Sequence, residues 1–242
     1  MIETKRLILR PWQESEAGIL YKYACDPDIG PVAGWMPHTS VENSLEIIRT
    51  VFAAPEVYAV VLKATGEPIG SCGIMFTNSL HTADMKDGEA EIGYWIGKPY
   101  WGQGFIPEAV KALLSRCFNE LRLRTVWCGY YEGNNKSKRV CEKSGFKFHH
   151  TNHDILSPLG DKRTEHFYIM TKEDYYAIYI SIESGNLTAE QKKQLIERLT
   201  ATASEITHIP KQFFTVTIKE LPDENFGIGG KSIDEIKRNY KP

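Results

Sequence analysis

Apolar and polar positions change period repeatedly along the chain, and each change marks an element. From Ile106 apolar residues recur at Ala109, Val110, Leu113, Leu114, Cys117, Phe118 and Leu121, a stripe at helical period. Pro107 falls in the first turn, where its missing N–H costs nothing. Before this helix, Glu89 to Ile96 reads as a strand, and Gly97 to Gly104 as a glycine-bracketed loop. Upstream, Lys5 to Arg10 alternates as a strand ended by Pro11, and Glu14 to Cys25 favours helix. Ser40 can cap a helix running to about Phe52. Val57 to Lys63 and Pro68 to Phe76 form a hairpin around Thr65-Gly66. The polar stretch from Thr77 to Gly88 reads as a long loop. Downstream, Thr125 to Tyr131 is a strand, Lys136 to Lys143 a helix ended by Gly145, and Phe146 to His150 and Glu165 to Thr171 are strands joined by a loop.

After Lys172 the rhythm starts afresh: strand Ala177 to Glu183, a helix capped by Thr188, and strand Phe213 to Lys219. The expected boundary lies near Tyr175, giving residues 1–174 and 175–242. A β-α-β unit this small usually needs a partner to bury its sheet.

Two glycines, Gly102 and Gly104, leave the loop's N–H groups bare at a helix N-terminus, where the dipole adds partial positive charge. Such a cradle suits a pyrophosphate, although the same glycines also serve an ordinary tight turn. The net charge of −2, with both signs spread along the chain, argues against a nucleic-acid or other polyanion partner. Five widely spaced cysteines without a Cys-x-x-Cys pair suggest reduced core residues in a cytoplasmic setting. No apolar run is long enough to span a membrane, and no Cys/His spacing suits a metal.

Further blocks add a resemblance. Ile2-Glu-Thr-Lys-Arg-Leu-Ile-Leu-Arg-Pro11, Ala90-Glu-Ile-Gly-Tyr-Trp95, Tyr100-Trp-Gly-Gln-Gly-Phe-Ile-Pro-Glu-Ala109, and Asn134-Asn-Lys-Ser137 with Glu142-Lys-Ser-Gly-Phe146 occur in family order. Over residues 1–174 they resemble the GCN5-related N-acetyltransferases, in the branch similar to ribosomal-protein N-acetyltransferases. The resemblance implies an α+β fold: a mixed, mostly antiparallel sheet with flanking helices. It also implies acetyl-CoA as co-substrate, with its pantetheine arm lying as an extra strand where Trp95, Ile96 and Gly97 leave the neighbouring strand. The pyrophosphate is expected on the N–H groups of Gly102, Gln103, Gly104 and Phe105, beside Trp101. Pro99 stands where the family usually has Arg or Gln, so backbone groups are the expected phosphate ligands. The implied acceptor is an amine, either a protein N-terminus or a small molecule.

The chemistry needs a proton acceptor and a donor to the leaving thiolate. Glu91, on the strand before the loop, is the first candidate base; it reads equally as a surface or ion-paired glutamate. Ser137 matches the family position for the donor and also reads as a helix-capping serine. Tyr130 and Tyr131 are its rivals. Asn134 is expected to anchor the pantetheine or the loop. Trp35, Phe76, Tyr94, Trp95 and Trp101 could wall the acceptor pocket or pack in the core.

The tail resembles the 4-oxalocrotonate tautomerase family through Ile180-Ser-Ile-Glu-Ser-Gly185, Thr188-Ala-Glu-Gln-Lys192, Val216-Thr-Ile-Lys-Glu220 and Asn225-Phe-Gly-Ile-Gly-Gly230. That family uses a terminal proline amine as base. Here Tyr176 takes its place inside the chain, and Thr215 takes that of the substrate-holding arginine. Phe226 would remain as an apolar wall. The expectation is a homo-oligomerisation module. The other reading is a ligand or tautomerase site using Lys211 or Lys219.

Overall fold

The computed structural model describes residues 1–76, 85–222, 225, 227–228 and 230–239. Two compact units divide the chain, Met1–Lys172 and Glu173–Pro242. Most of the long loop expected at Thr77–Gly88, and Phe226, lie outside the described residues.

The first unit is built on one eight-stranded sheet. Its strands are β1 (Ile2–Glu3), β2 (Leu7–Arg10), β3 (Val57–Leu62), β4 (Pro68–Phe76), β5 (Glu89–Ile96), β6 (Thr125–Tyr131), β7 (Lys147–Leu156) and β8 (Lys162–Thr171). Their order is β1-β2-β3-β4-β5-β6-β8-β7. Every neighbouring pair is antiparallel except β5 and β6. Helices α1 (Ala17–Ala24), α2 (Val41–Thr50), α3 (Phe105–Ser115) and α4 (Asn135–Ser144) connect them.

The helical stripe folds as its period dictates. Ala109, Val110, Leu113, Cys117 and Phe118 are fully buried, and α3 packs on β2, β4 and β5. A wider π turn, Arg116–Glu120, carries the stripe on. Ser40 does cap α2, accepting a hydrogen bond from the Asn43 N–H at 3.1 Å. The expected first helix is divided: Glu14–Glu16 form a 3-10 turn before α1 begins. Trp12, Leu20, Ile48 and Val61 form a core cluster with Trp35 and Trp95 packed against it.

One expectation is corrected. Instead of short strands joined by a loop, β7 and β8 run ten residues each into a tight turn at Ser157–Asp161, where the Ser157 N–H donates to the Asp161 carbonyl at 2.8 Å. Apolar alternation is absent there because polar cross-strand pairs replace it, Thr151 with His166 at 2.9 Å and His153 with Thr164 at 3.2 Å.

The second unit pairs β9 (Ile178–Ser184) and β10 (Phe214–Glu220) in parallel through α6 (Ala189–Thr207). A short helix α5 (Lys172–Tyr176) precedes β9, and β11 (Gly227–Ile228), β12 (Lys231–Ser232) and α7 (Ile233–Asn239) follow. Thr188 and Gln191 form a reciprocal capping box at the start of α6. No described residue of α6 is fully buried, and Ile196 and Ile206 are 42% and 74% exposed.

Candidate functional site

The sheet opens where its only parallel pair fails. β5 and β6 are in register at Glu89–Thr125, Ala90–Val126 and Glu91–Trp127, and pairing stops there. Residues 92–96 remain bonded to β4, and residues 128–131 to β8. Past Glu91 and Trp127 the two strands no longer pair with each other, which leaves room between them for a further extended segment.

At the wide end of this gap lies a cleft of about 280 Å³. Its floor is the loop from Trp101 into α3. Gly102 and Gly104 take φ angles of 75° and 77°, in the left-handed region that favours glycine. Among the described residues, no protein acceptor takes the N–H groups of Gly102, Gln103, Gly104 or Phe105. They form an anion nest at the start of an eleven-residue helix.

The loop is held from behind. Arg6 donates to the Gln103 carbonyl at 3.0 Å, pairs with Glu108 at 2.6 Å, and stacks over the Phe105 ring at 4.3 Å. Burial would raise the Glu108 pKa. Bonds from the Thr4 hydroxyl, the Arg6 N–H and the Arg6 guanidinium outweigh that and hold it below the usual carboxylate range. Trp101 donates from Nε1 to the Ile96 carbonyl at 2.9 Å, and the Lys136 ammonium lies 3.4 Å from the Trp101 ring centroid.

The cleft brings together Trp95, Ile96, Trp101, Gly102, Gly104, Phe105, Asn134 and Ser137, but not Gly97 or Gln103. The Gly97 N–H is bonded to the Ile69 carbonyl at 2.8 Å, and a Cβ there would lie 2.7 Å from the Tyr23 ring. Gly97 thus serves close packing. The Gln103 side chain turns away to donate to the Pro99 carbonyl at 2.8 Å.

Asn134 caps α4, its Oδ1 accepting from the Ser137 N–H at 3.1 Å. The cap is therefore filled by another residue, and Ser137 lines the cleft. Tyr94, read from sequence only as a wall residue, stands beside it and donates to the Ser137 carbonyl at 3.3 Å. Burial first, then Cys128 and Cys141, raise its pKa well above that of an ordinary phenol. Tyr130 and Tyr131 do not line the cleft. Tyr130 tilts against His166 and Tyr168. Tyr131 points to the opposite sheet face, beneath the Arg163 guanidinium, 4.8 Å from its ring centroid. Burial, then Glu165, push the Tyr131 pKa up to about 12.

Glu91 is buried, only 5% exposed, at the last paired position before the gap. It shares a face with Trp95, whose ring meets Trp35 at 5.9 Å between centroids. Of the other aromatics considered for the pocket wall, Phe76 is 44% exposed.

Lys136, Arg139 and Lys143, which also line the cleft, went unnoticed in the sequence. Their signal was legible: offsets of 0, 3 and 7 place them on one face of α4.

Residues 6–147, more than half of the chain, match the family model for an acetyltransferase (GNAT) domain. The chain belongs to the GNAT acetyltransferases. Its second unit belongs to the tautomerase family, whose model matches residues 177–236. The acetyltransferase is 27% identical over 177 residues to the uncharacterised N-acetyltransferase p20 of Bacillus licheniformis, covering 71% of this chain and 96% of that protein. A protein named a probable tautomerase in Bacillus cereus is 40% identical over 48 residues, 20% of this chain and 79% of that protein. The fold is that of the GNAT-family acetyltransferase crystal structure from Bacillus anthracis, with a TM-score of 0.62 at 20% identity over 71% of this chain and 98% of that one.

Proposed function

We propose that the first unit of this N-acetyltransferase binds acetyl-CoA and passes the acetyl group to a primary amine by direct attack. The observation that carries this reading is the coincidence of an open parallel gap with an unpartnered N–H nest at its mouth. The gap between the two strands suits the amides of a pantetheine arm, and the nest suits its pyrophosphate. Lys136, Arg139 and Lys143 add positive charge for the phosphates along α4. The amine approaches from the Trp95 face, where Glu91 takes its proton directly or through water. On the opposite face the Ser137 hydroxyl donates to the departing thiolate, with the Tyr94 phenol nearby. The protein works in the cytoplasm on this reading, and its acceptor is a protein N-terminus or a small amine.

Calorimetry of the full chain with acetyl-CoA tests the first half. Micromolar binding is expected, and no heat at millimolar ligand overturns it. Thiol release on adding peptides, polyamines, amino acids and aminoglycosides identifies the acceptor class. A protein that binds acetyl-CoA but releases no thiol with any of them is a sensor instead.

The tail serves assembly in this proposal, as a homo-oligomerisation unit. Support comes from α6, whose apolar positions stay partly exposed in one copy. Proline-type tautomerase chemistry is not available to it: Tyr176 is peptide-bonded, and an amide nitrogen is not basic.

A further inference from the structure

The sheet face that carries Glu91 holds a second buried carboxylate that the reaction as described does not use. Glu165, in β8, is 3% exposed and pairs in register with Tyr131 of β6. It does not stay over β8. A Cβ built on Gly129 would lie 2.9 Å from Glu165 Oε1, so the carboxylate leans across the neighbouring strand through the space that a glycine leaves open. Gly129 lies two residues past Trp127, the last β6 residue paired with β5, and therefore on the edge of the gap. Glu91 is the partner of Trp127 on the same face. The two carboxylates thus approach the opening from its two sides, and both raise the pKa of the Tyr131 phenol between them.

Arg163, which lies over the Tyr131 ring on this face, is anchored at both ends of its guanidinium. Arg163 donates from Nε to both Asp161 oxygens, at 3.0 and 2.9 Å, and from Nη1 to the Pro31 carbonyl at 2.6 Å. That last bond ties the segment Pro31–Gly34 over the site, and a Cβ on Gly34 would lie 2.8 Å from the Tyr131 ring. The rings of Trp35 and Trp95 meet on this same face, 5.9 Å between centroids.

We infer that Glu165, reaching through the Gly129 window, is a specificity residue of the acceptor site: together with Glu91 it binds the incoming amine as its ammonium ion. Two carboxylates favour a cationic acceptor and disfavour one whose amine stands close to a carboxylate of its own. Binding the ammonium and taking its proton are separate tasks. Glu165 serves the first and Glu91 the second. The inference rests on the acetyl-transfer reading above, because only that reading places the acetyl group in the gap.

The test measures CoA thiol release by the full chain with butylamine and with β-alanine, and acetyl-CoA binding by calorimetry in parallel. Wild type is expected to prefer butylamine. Glu165→Gln should raise the butylamine KM at least tenfold with kcat changed less than threefold, narrow the preference over β-alanine, and leave the acetyl-CoA Kd within twofold. Gly129→Ala displaces the carboxylate without removing its charge and should move KM in the same way, which covers the case in which Glu165→Gln fails to fold. An unchanged butylamine KM in whichever of these variants folds overturns the inference. So does equal use of the two amines by wild type, or a wild type that binds acetyl-CoA and acetylates neither. Failure of wild type to bind acetyl-CoA overturns the underlying reading instead.

Discussion

At the scale of single residues, the division of labour between Asn134 and Ser137 makes the catalytic proposal testable. Because Asn134 supplies the α4 cap, removing the Ser137 hydroxyl should cost the helix little. Ser137→Ala is therefore expected to melt within a degree or two of wild type and to lower kcat more than it weakens acetyl-CoA binding. Equal turnover in the two proteins would move the proton donor to Tyr94. Asn134→Ala should do the reverse, losing about 1 kcal/mol of stability in chemical denaturation with the capping bond. Gly104 is the other decisive residue. A side chain at its φ of 77° is strained, and glutamate would add negative charge to the anion nest. Gly104→Glu should abolish acetyl-CoA binding in calorimetry while the circular dichroism spectrum stays native.

At the scale of elements, the tie between the N-terminal strands and the start of α3 runs through Arg6 and Glu108. The Glu108 pKa is lower in the folded chain than the ordinary value of about 4.3. Its contribution to stability is therefore present above that value and is lost as pH falls through the folded pKa. Glu108→Gln should lower the melting temperature at pH 7 by a few degrees, and the gap from wild type should narrow as pH falls below the ordinary carboxylate value. Elements held by apolar periodicity were legible in the sequence, as α3 shows with its continuous stripe. The strands at Phe146–His150 and Glu165–Thr171 were expected, but their extension to a tight hairpin was not, because Thr151, His153, Thr164 and His166 pair across strands by hydrogen bonds, which leave no apolar pattern. The candidate cleft was legible where glycines and capping residues shape it, at Gly102, Gly104 and Asn134. Gly97 looked like part of that motif, but Tyr23, distant in sequence, decides its role. Glu165 was invisible for the same reason, since only strand pairing brings it over Gly129.

At the scale of the whole molecule, the assembly role proposed for the tail can be tested apart from the chemistry. Light scattering should give a multiple of the 27.5 kDa chain mass for full-length protein and a smaller assembly for a chain ending at Asp174. An unchanged assembly state after truncation, or a monomeric full chain, removes the role. Measurable ketonisation of a 2-hydroxymuconate-type enol would restore an enzymatic one. Within the first unit, the short β5–β6 register has a thermodynamic consequence. The strands before the gap and those after it share a sheet through a junction of only the pairs Glu89–Thr125, Ala90–Val126 and Glu91–Trp127. With nothing bound in the gap, such a sheet should behave as two cooperative blocks of unequal opening free energy. A ligand bridging the gap couples them and adds stability that grows with its concentration. Amide hydrogen exchange should therefore report two protection levels in the free protein, converging to one when acetyl-CoA is added.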